Sequence, residues 1–309
     1  MSNILLVVVP VFLVIAAGYL AALRGIIAPQ GVDGLMSFAQ SVAVPMLLFR
    51  AISTLDLAAA MDPRLLMAFY AGAVIGFASG MLGARFLFGR SWEDAVAIGF
   101  VGLFSNSLLL GLPITERAYG TEALSANFAI IAVHAPFCYV LGITAMELVR
   151  AQGRAWAAIP GTVARAVLVN PLIIGVALGF VVNLSGLPLP EPVTSALDLI
   201  ARAGIPAALF GLGGVLLRYR PEGDMRVILF IVAVSVMLHP TIVWLIGRAV
   251  DLSDGALRSA VITASVAPGV NAYLFADMYG RARRVAASAV LIGTICTLAS
   301  ASFWLWMLP

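Results

Sequence analysis

The chain has no lysine, only two cysteines and two histidines, and few charges of either sign. Charged residues make up 11% of the sequence, against about a quarter in water-soluble domains, so a soluble globular protein is excluded. All 18 basic residues are arginines, placed singly or in twos and threes, and the net charge is only +3. That scatter lacks the clustered basic face a nucleic-acid partner requires. Cys138 and Cys296 lie inside apolar runs and read as packing residues, and no metal or cofactor is expected. His-Glu-x-x-His, Gly-x-Ser-x-Gly and paired intramembrane carboxylates are all missing, which argues against an enzyme. Without rings of charge an ion channel is disfavoured, and without a soluble output domain so is a sensor.

What the chain has in quantity is apolar length. Hydrophobic residues make up 62% of it and the mean hydropathy is +1.06, so lipid is its main solvent. A bilayer crossing takes about 20 apolar residues. Ten such runs are bounded by Arg, Asp, Pro or Gly, at 4–23, 34–53, 65–88, 95–114, 124–148, 163–182, 193–217, 227–250, 257–278 and 285–308. The expected fold is an all-α integral membrane protein of ten spans. Met1-Ser2-Asn3 lacks a basic leader, so the first run is expected to stay as a span. Twelve arginines, among them Arg154 and Arg220, fall at span ends on one face and five on the other, with Arg202 inside span 7. By the positive-inside rule this puts both termini outside, in a cytoplasmic (inner) membrane.

The two halves resemble each other at an offset of 160 to 161 residues. Pro10 matches Pro171 and Gly18 matches Gly179. Pro45 to Phe49 matches Pro206 to Phe210, and Tyr119-Gly120 matches Tyr279-Gly280. Five spans per repeat is an odd number, so the second repeat enters from the opposite face. This gives a 5+5 inverted repeat with residues 1–148 in the first unit, 149–162 as a short connector holding Arg150, Arg154 and Trp156, and 163–309 in the second.

Carriers built this way bind substrate near the midplane, where paired helices are interrupted. In span 4, Gly111 and Pro113 read as a break following Asn106 and Ser107. In span 9, Pro268-Gly269 precedes Asn271 and Tyr273. Breaks in equivalent spans, each near an asparagine, are expected to cross and offer N–H groups and positive helix ends to a carboxylate. A helix-to-helix role for the asparagines is the structural alternative. Gln40 and Ser41, ahead of Pro45, are candidates to face the same cavity. Asp277 and His134 are candidates for ion coupling, with Arg281 placed to neutralise Asp277, and Asp198 and Arg202 have the spacing of an intrahelical pair. No acidic residue lies within either break, which favours proton coupling or uniport over a sodium site.

Asn106, then Gly111-Leu112-Pro113, then Ala118-Tyr119-Gly120 resembles a pattern of the auxin efflux carrier family, which includes plant auxin exporters and bacterial permeases. Ala267-Pro268-Gly269 through Phe275-Ala276 to Tyr279 resembles its counterpart. The resemblance implies a ten-helix fold shared with bile acid sodium symporters, in which spans 4 and 9 are broken and cross. It also implies a scaffold of spans 1, 2, 6 and 7 through which the family forms homodimers, a moving bundle of spans 3–5 and 8–10, and a small organic anion as cargo, moved with or without a proton or sodium. Two departures stand out. The long cytoplasmic loop of the plant exporters is replaced by the short connector, and Asp277 stands where they tend to carry lysine.

Overall fold

A computed structural model describes residues 2–150, 159–219 and 221–308. Arg154, Trp156 and Arg220 lie outside the described residues. The described chain is all helical, and its one bridge between extended residues is isolated. Seven helices are long and apolar enough to cross a membrane: α1 (Ser2–Leu23), α2 (Pro29–Thr54), α3 (Pro63–Phe86), α6 (Leu124–Arg150), α9 (Glu191–Leu216), α10 (Met225–Ala249) and α13 (Arg283–Met307). They coincide with seven of the ten apolar runs. The fourth run is split into α4 (Trp92–Leu103) and α5 (107–119), and the ninth into α11 (Asp254–Ala264) and α12 (Val270–Tyr279).

The sixth run departs from expectation. In place of one helix over 163–182 there are α7 (Ile159–Leu168) and α8 (Pro171–Ser185). The cause is local: Pro171 has no N–H to continue a helix and pushes Asn170 to an extended conformation, from which the Asn170 side chain caps Leu172 N at 2.9 Å. Other helices open the same way. Asp62 caps α3 ahead of Pro63, Ser91 caps α4 and Asp224 caps α10.

Several prolines sit inside helical runs without breaking them, and three of them share one device. Pro45, Pro113 and Pro240 each follow by two residues the end of a five-residue π turn, at Ala39–Ala43, Ser107–Gly111 and Val234–Leu238. A proline ring collides with the carbonyl four residues back, and a turn widened by one residue seats it while the helix continues.

Glycines bring several helix pairs into close contact. α3 lies on α4 through Gly76 and Gly102, with a Cβ at Gly76 only 2.7 Å from Gly102 O. A side chain at Gly18 of α1 would run into the Phe210 carbonyl of α9, and one at Gly179 of α8 would sit 2.9 Å from the Phe49 carbonyl of α2. These are the residues matched between the halves, and the two contacts are equivalent under that match. Exposed leucines such as Leu6, Leu13 and Leu20 on α1 and Leu178 on α8 give the outer surface an apolar face suited to lipid.

Candidate functional site

The helices α4 and α11 stop just short of each other. Past Leu103, Phe104 leaves helical geometry, and Ser105 pairs antiparallel with Pro268. Asn106 N donates to Ala267 O at 2.8 Å and Gly269 N to Phe104 O at 2.9 Å. Each break thus supplies the backbone partners the other lost by unwinding, which is what lets extended chain persist inside a membrane protein.

The first break is not at Gly111 and Pro113, as the sequence suggested. Residues 107–119 run as one helix, because the π turn absorbs Pro113, and unwinding occurs at 104–106 instead. Asn106 is its N-cap: Oδ1 accepts from Leu109 N at 3.3 Å, and the backbone carbonyl takes Leu110 N and Gly111 N, both at 3.1 Å. Gly111 serves helix contact, since a Cβ there would lie 3.3 Å from Thr263 Cα on α11. The second break is where Pro268 predicted it. Ala267 N donates to Thr297 Oγ1 of α13 at 2.7 Å, and Gly269 is the N-cap residue of α12.

At the crossing lies a cavity of about 70 Å³. The breaks contribute Phe104, Ser105, Asn106, Ser107, Gly269, Val270 and Asn271, α6 contributes His134 and its neighbours, and α2 and α8 contribute Gln40, Val44, Leu48 and Val176. Among the described residues no Arg, Asp or Glu lines it, and His134 is the one ionisable side chain there. A water needs about 10–15 Å³ of such space, so this volume admits a few waters or a small organic ion. Ser105 Oγ and Asn106 Nδ2 line it, buried and without hydrogen-bond partners. An unmet buried polar group costs about 1–3 kcal/mol, which a ligand accepting from both would recover. Helix starts also leave their first N–H groups unbonded, here those of Ser107, Leu108, Val270 and Asn271, with positive dipole ends behind them.

Two residues that sequence reasoning passed over belong to the site. Ser105 supplies an orphan hydroxyl, and the Tyr139 hydroxyl donates to Asn271 Oδ1 at 3.2 Å, leaving the amide NH₂ of Asn271 as its free end. Ser105 was findable as a polar neighbour of Asn106. Tyr139 carried no signal, because its pairing spans 132 residues. His134 Nε2 lies 3.2 Å from the Ser105 carbonyl and its Nδ1 3.8 Å from Sγ of Cys138, which packs in the core as expected.

Other candidates lie elsewhere. Ser41 does not line the cavity although Gln40 does, and Pro113 and Pro268 shape backbone without lining it. Tyr273 is directed away: its ring packs on Tyr219 at 5.1 Å and lines a separate cavity of about 210 Å³ with Arg218, Glu222, Arg283 and Arg284. Asp277 pairs with Arg283 at 3.1 Å, while Arg281 is taken by Glu93. Asp198 pairs with Arg50 of α2, through a fork of 2.7 and 3.3 Å, and not with Arg202. In both cases an arginine on a neighbouring helix, and not the one four residues on, is the partner.

A third cavity, of about 770 Å³, lies between α2 and α9 on one side and Glu116, Thr121 and Phe128 on the other, with Arg50 and Arg202 in its wall. Val44, Leu48 and Ile52 of α2 pack with Leu112, Leu124 and Ile131 in an apolar cluster beside the crossing. Val44 and Leu48 line the small cavity and Leu47 and Ala51 the large one, so this layer separates them.

The profile of a family described as membrane transport protein matches residues 3–305. A protein of Rhizobium meliloti (strain 1021) named "Putative malonate transporter" is 24% identical over 312 residues, which cover 100% of this chain and 97% of that protein. On these grounds, this chain is a membrane transport protein of the auxin efflux carrier family.

Proposed function

We propose that the chain is a secondary carrier that moves a small carboxylate across the cytoplasmic (inner) membrane by an elevator-type alternation of access. The observation that carries this reading is the crossing of two broken helices beside an uncharged cavity, into which the orphan groups of Ser105 and Asn106 and the first-turn N–H groups bring donors. Donors in a low-dielectric cavity suit a carboxylate. The cavity's size and the malonate in the relative's name both favour a short one.

In this reading α4–α5 and α11–α12 are each one interrupted span, which makes ten spans arranged as a 5+5 inverted repeat. The equivalent contacts Gly18–Phe210 and Gly179–Phe49 support it, as does the reciprocal pairing of Asn106 with Ala267 and Gly269 with Phe104. The scaffold is α1, α2, α8 and α9, through which a homodimer forms, and the remaining spans move as a bundle. The apolar layer of Val44, Leu48 and Leu112 is then the seam along which the bundle slides. The termini lie outside. The arginine-rich end, where Arg90 pairs with Asp224 and Arg284 with Glu222, lies in the cytoplasm.

A sodium-coupled form of the same carrier has one observation in its favour: Asn127 Oδ1 is buried without a partner beside the Thr115 and Thr263 hydroxyls. However, the amide nitrogen of Asn127 is what faces those hydroxyls, and no carboxylate joins them.

The test is binding and flux of mono- and dicarboxylates in proteoliposomes, with Asn106→Ala and Asn271→Ala proteins that insert normally. Each variant is expected to lose about tenfold or more in affinity, the worth of about 1.5–3 kcal/mol for a hydrogen bond to a charged group. Unchanged binding and transport in both would overturn the site.

A further inference from the structure

The two histidines lie far apart in sequence but close together in the fold. His134 of α6 and His239 of α10 both pack edge-on against Phe69 of α3, with ring centroids 5.7 and 5.2 Å from it. Both are buried, and His239 has neither ring nitrogen hydrogen-bonded. His134 holds the crossing itself, through the Ser105 carbonyl, and lines the cavity.

Consider what faces these rings. Around His134 are Phe104, the Cys138 thiol and Tyr70, whose hydroxyl is committed to Ile130 O. Around His239 are Phe69, Gly72 and Val243, the latter two meeting at the same point of α3. The titratable groups facing these rings are the Cys138 thiol, the Tyr70 hydroxyl and, for each ring, its fellow histidine; among the described residues no carboxylate or arginine neighbours either ring. A carboxylate entering the cavity therefore brings a negative charge where no fixed positive side chain meets it. The one side chain there that can become positive is His134.

We propose that His134 is the proton-coupling residue of the carrier: one proton binds its imidazole with each carboxylate that enters the crossover cavity, and both leave together on the other side. This rests on the carrier reading above. In the neutral ring Nε2–H donates to Ser105 O, and Nδ1, 3.8 Å from the Cys138 thiol, takes the proton as the thiol turns to the Leu103 carbonyl. The imidazolium so formed keeps its bond to the crossing and offsets the anion's charge. His239 limits the pair to a single charge, since two imidazolium ions around one phenyl ring in an apolar core repel each other. The stoichiometry that follows is one proton per anion, electroneutral for a monocarboxylate and electrogenic for a dianion.

The experiment uses the full-length protein in proteoliposomes with a trapped pH dye, radiolabelled malonate or acetate outside, and sodium present or absent. Wild type is expected to move about one proton per carboxylate, in the same direction, without a sodium requirement. In His134→Gln, whose amide can still donate to Ser105 O, the ratio of protons to anions falls to about zero; a ratio does not depend on the amount of active protein. His239→Phe, which removes the competing charge, keeps the ratio and shifts the pH midpoint of transport upward by about half a unit to one unit. Wild-type carboxylate flux without proton movement, or His134→Gln at an unchanged ratio, overturns the proposal while leaving the carrier intact. Sodium-dependent flux without protons also overturns it and directs attention to Asn127. If no carboxylate is carried by wild type at all, the carrier reading fails, and this one with it.

Discussion

The two breaks at the crossing are equivalent in backbone and unlike in side chains. Each is extended for a few residues and each bonds the other. The α11–α12 break is built by Pro268 and held from behind, because Thr297 takes Ala267 N and Gly293 leaves room for the proline ring, 2.8 Å from where a Cβ would be. The α4–α5 break has no proline. It is held in front by the Asn106 cap, and both orphan groups at the crossing, Ser105 Oγ and Asn106 Nδ2, are on this side. On the proposed reading one break is a structural support and the other is the functional face.

That division can be broken most sharply at Gly293. Gly293→Leu would drive a side chain into Pro268 and is expected to cost about 1–3 kcal/mol or more, seen as a large fall in thermal stability in detergent and poor insertion. Normal stability would mean the second break is not held from behind. Thr297→Val should cost about 1–3 kcal/mol by leaving Ala267 N buried and unbonded, while protein that remains folded keeps its carboxylate affinity. Asn106→Ala should show the reverse pattern: loss of an N-cap worth about 1 kcal/mol, less than at Thr297, with affinity falling furthest. If affinity follows Thr297 and stability follows Asn106, the assignment of roles is inverted. Tyr139→Phe frees Asn271 Oδ1 and is expected to weaken binding about three- to tenfold, from a single hydrogen bond of about 1 kcal/mol, with no effect on folding that calorimetry resolves. Asp198→Asn breaks the half-exposed fork with Arg50, which lines the large cavity and not the one at the crossing, and should change stability by about 0–1 kcal/mol and affinity not at all.

The same contrast explains what was readable beforehand. Helix-forming apolar runs are local, and the seven long helices lie where hydropathy placed them. The Pro268 break was legible because proline acts on its own neighbourhood. The other break was misplaced to Pro113 because the competing device, a π turn just ahead of the proline, leaves no composition signal, and the true unwinding at Ser105 is set by residues more than 160 positions away. Ion pairs failed for a related reason. Asp198 and Asp277 each had an arginine four residues on, yet Arg50 and Arg283, on neighbouring helices, are their partners. Asn106 and Asn271 were picked out because buried amides are costly to leave idle. Tyr273, chosen by proximity in sequence, points to another cavity.

The central claim is that a carboxylate sits where the broken helices cross. An experimental density map of the protein prepared with saturating malonate tests it directly. The account predicts density for the anion in the crossover cavity, within hydrogen-bonding distance of Asn106 Nδ2 and the Ser107 N–H. Malonate bound beside Arg202 in the large cavity, with the crossing empty, would contradict it.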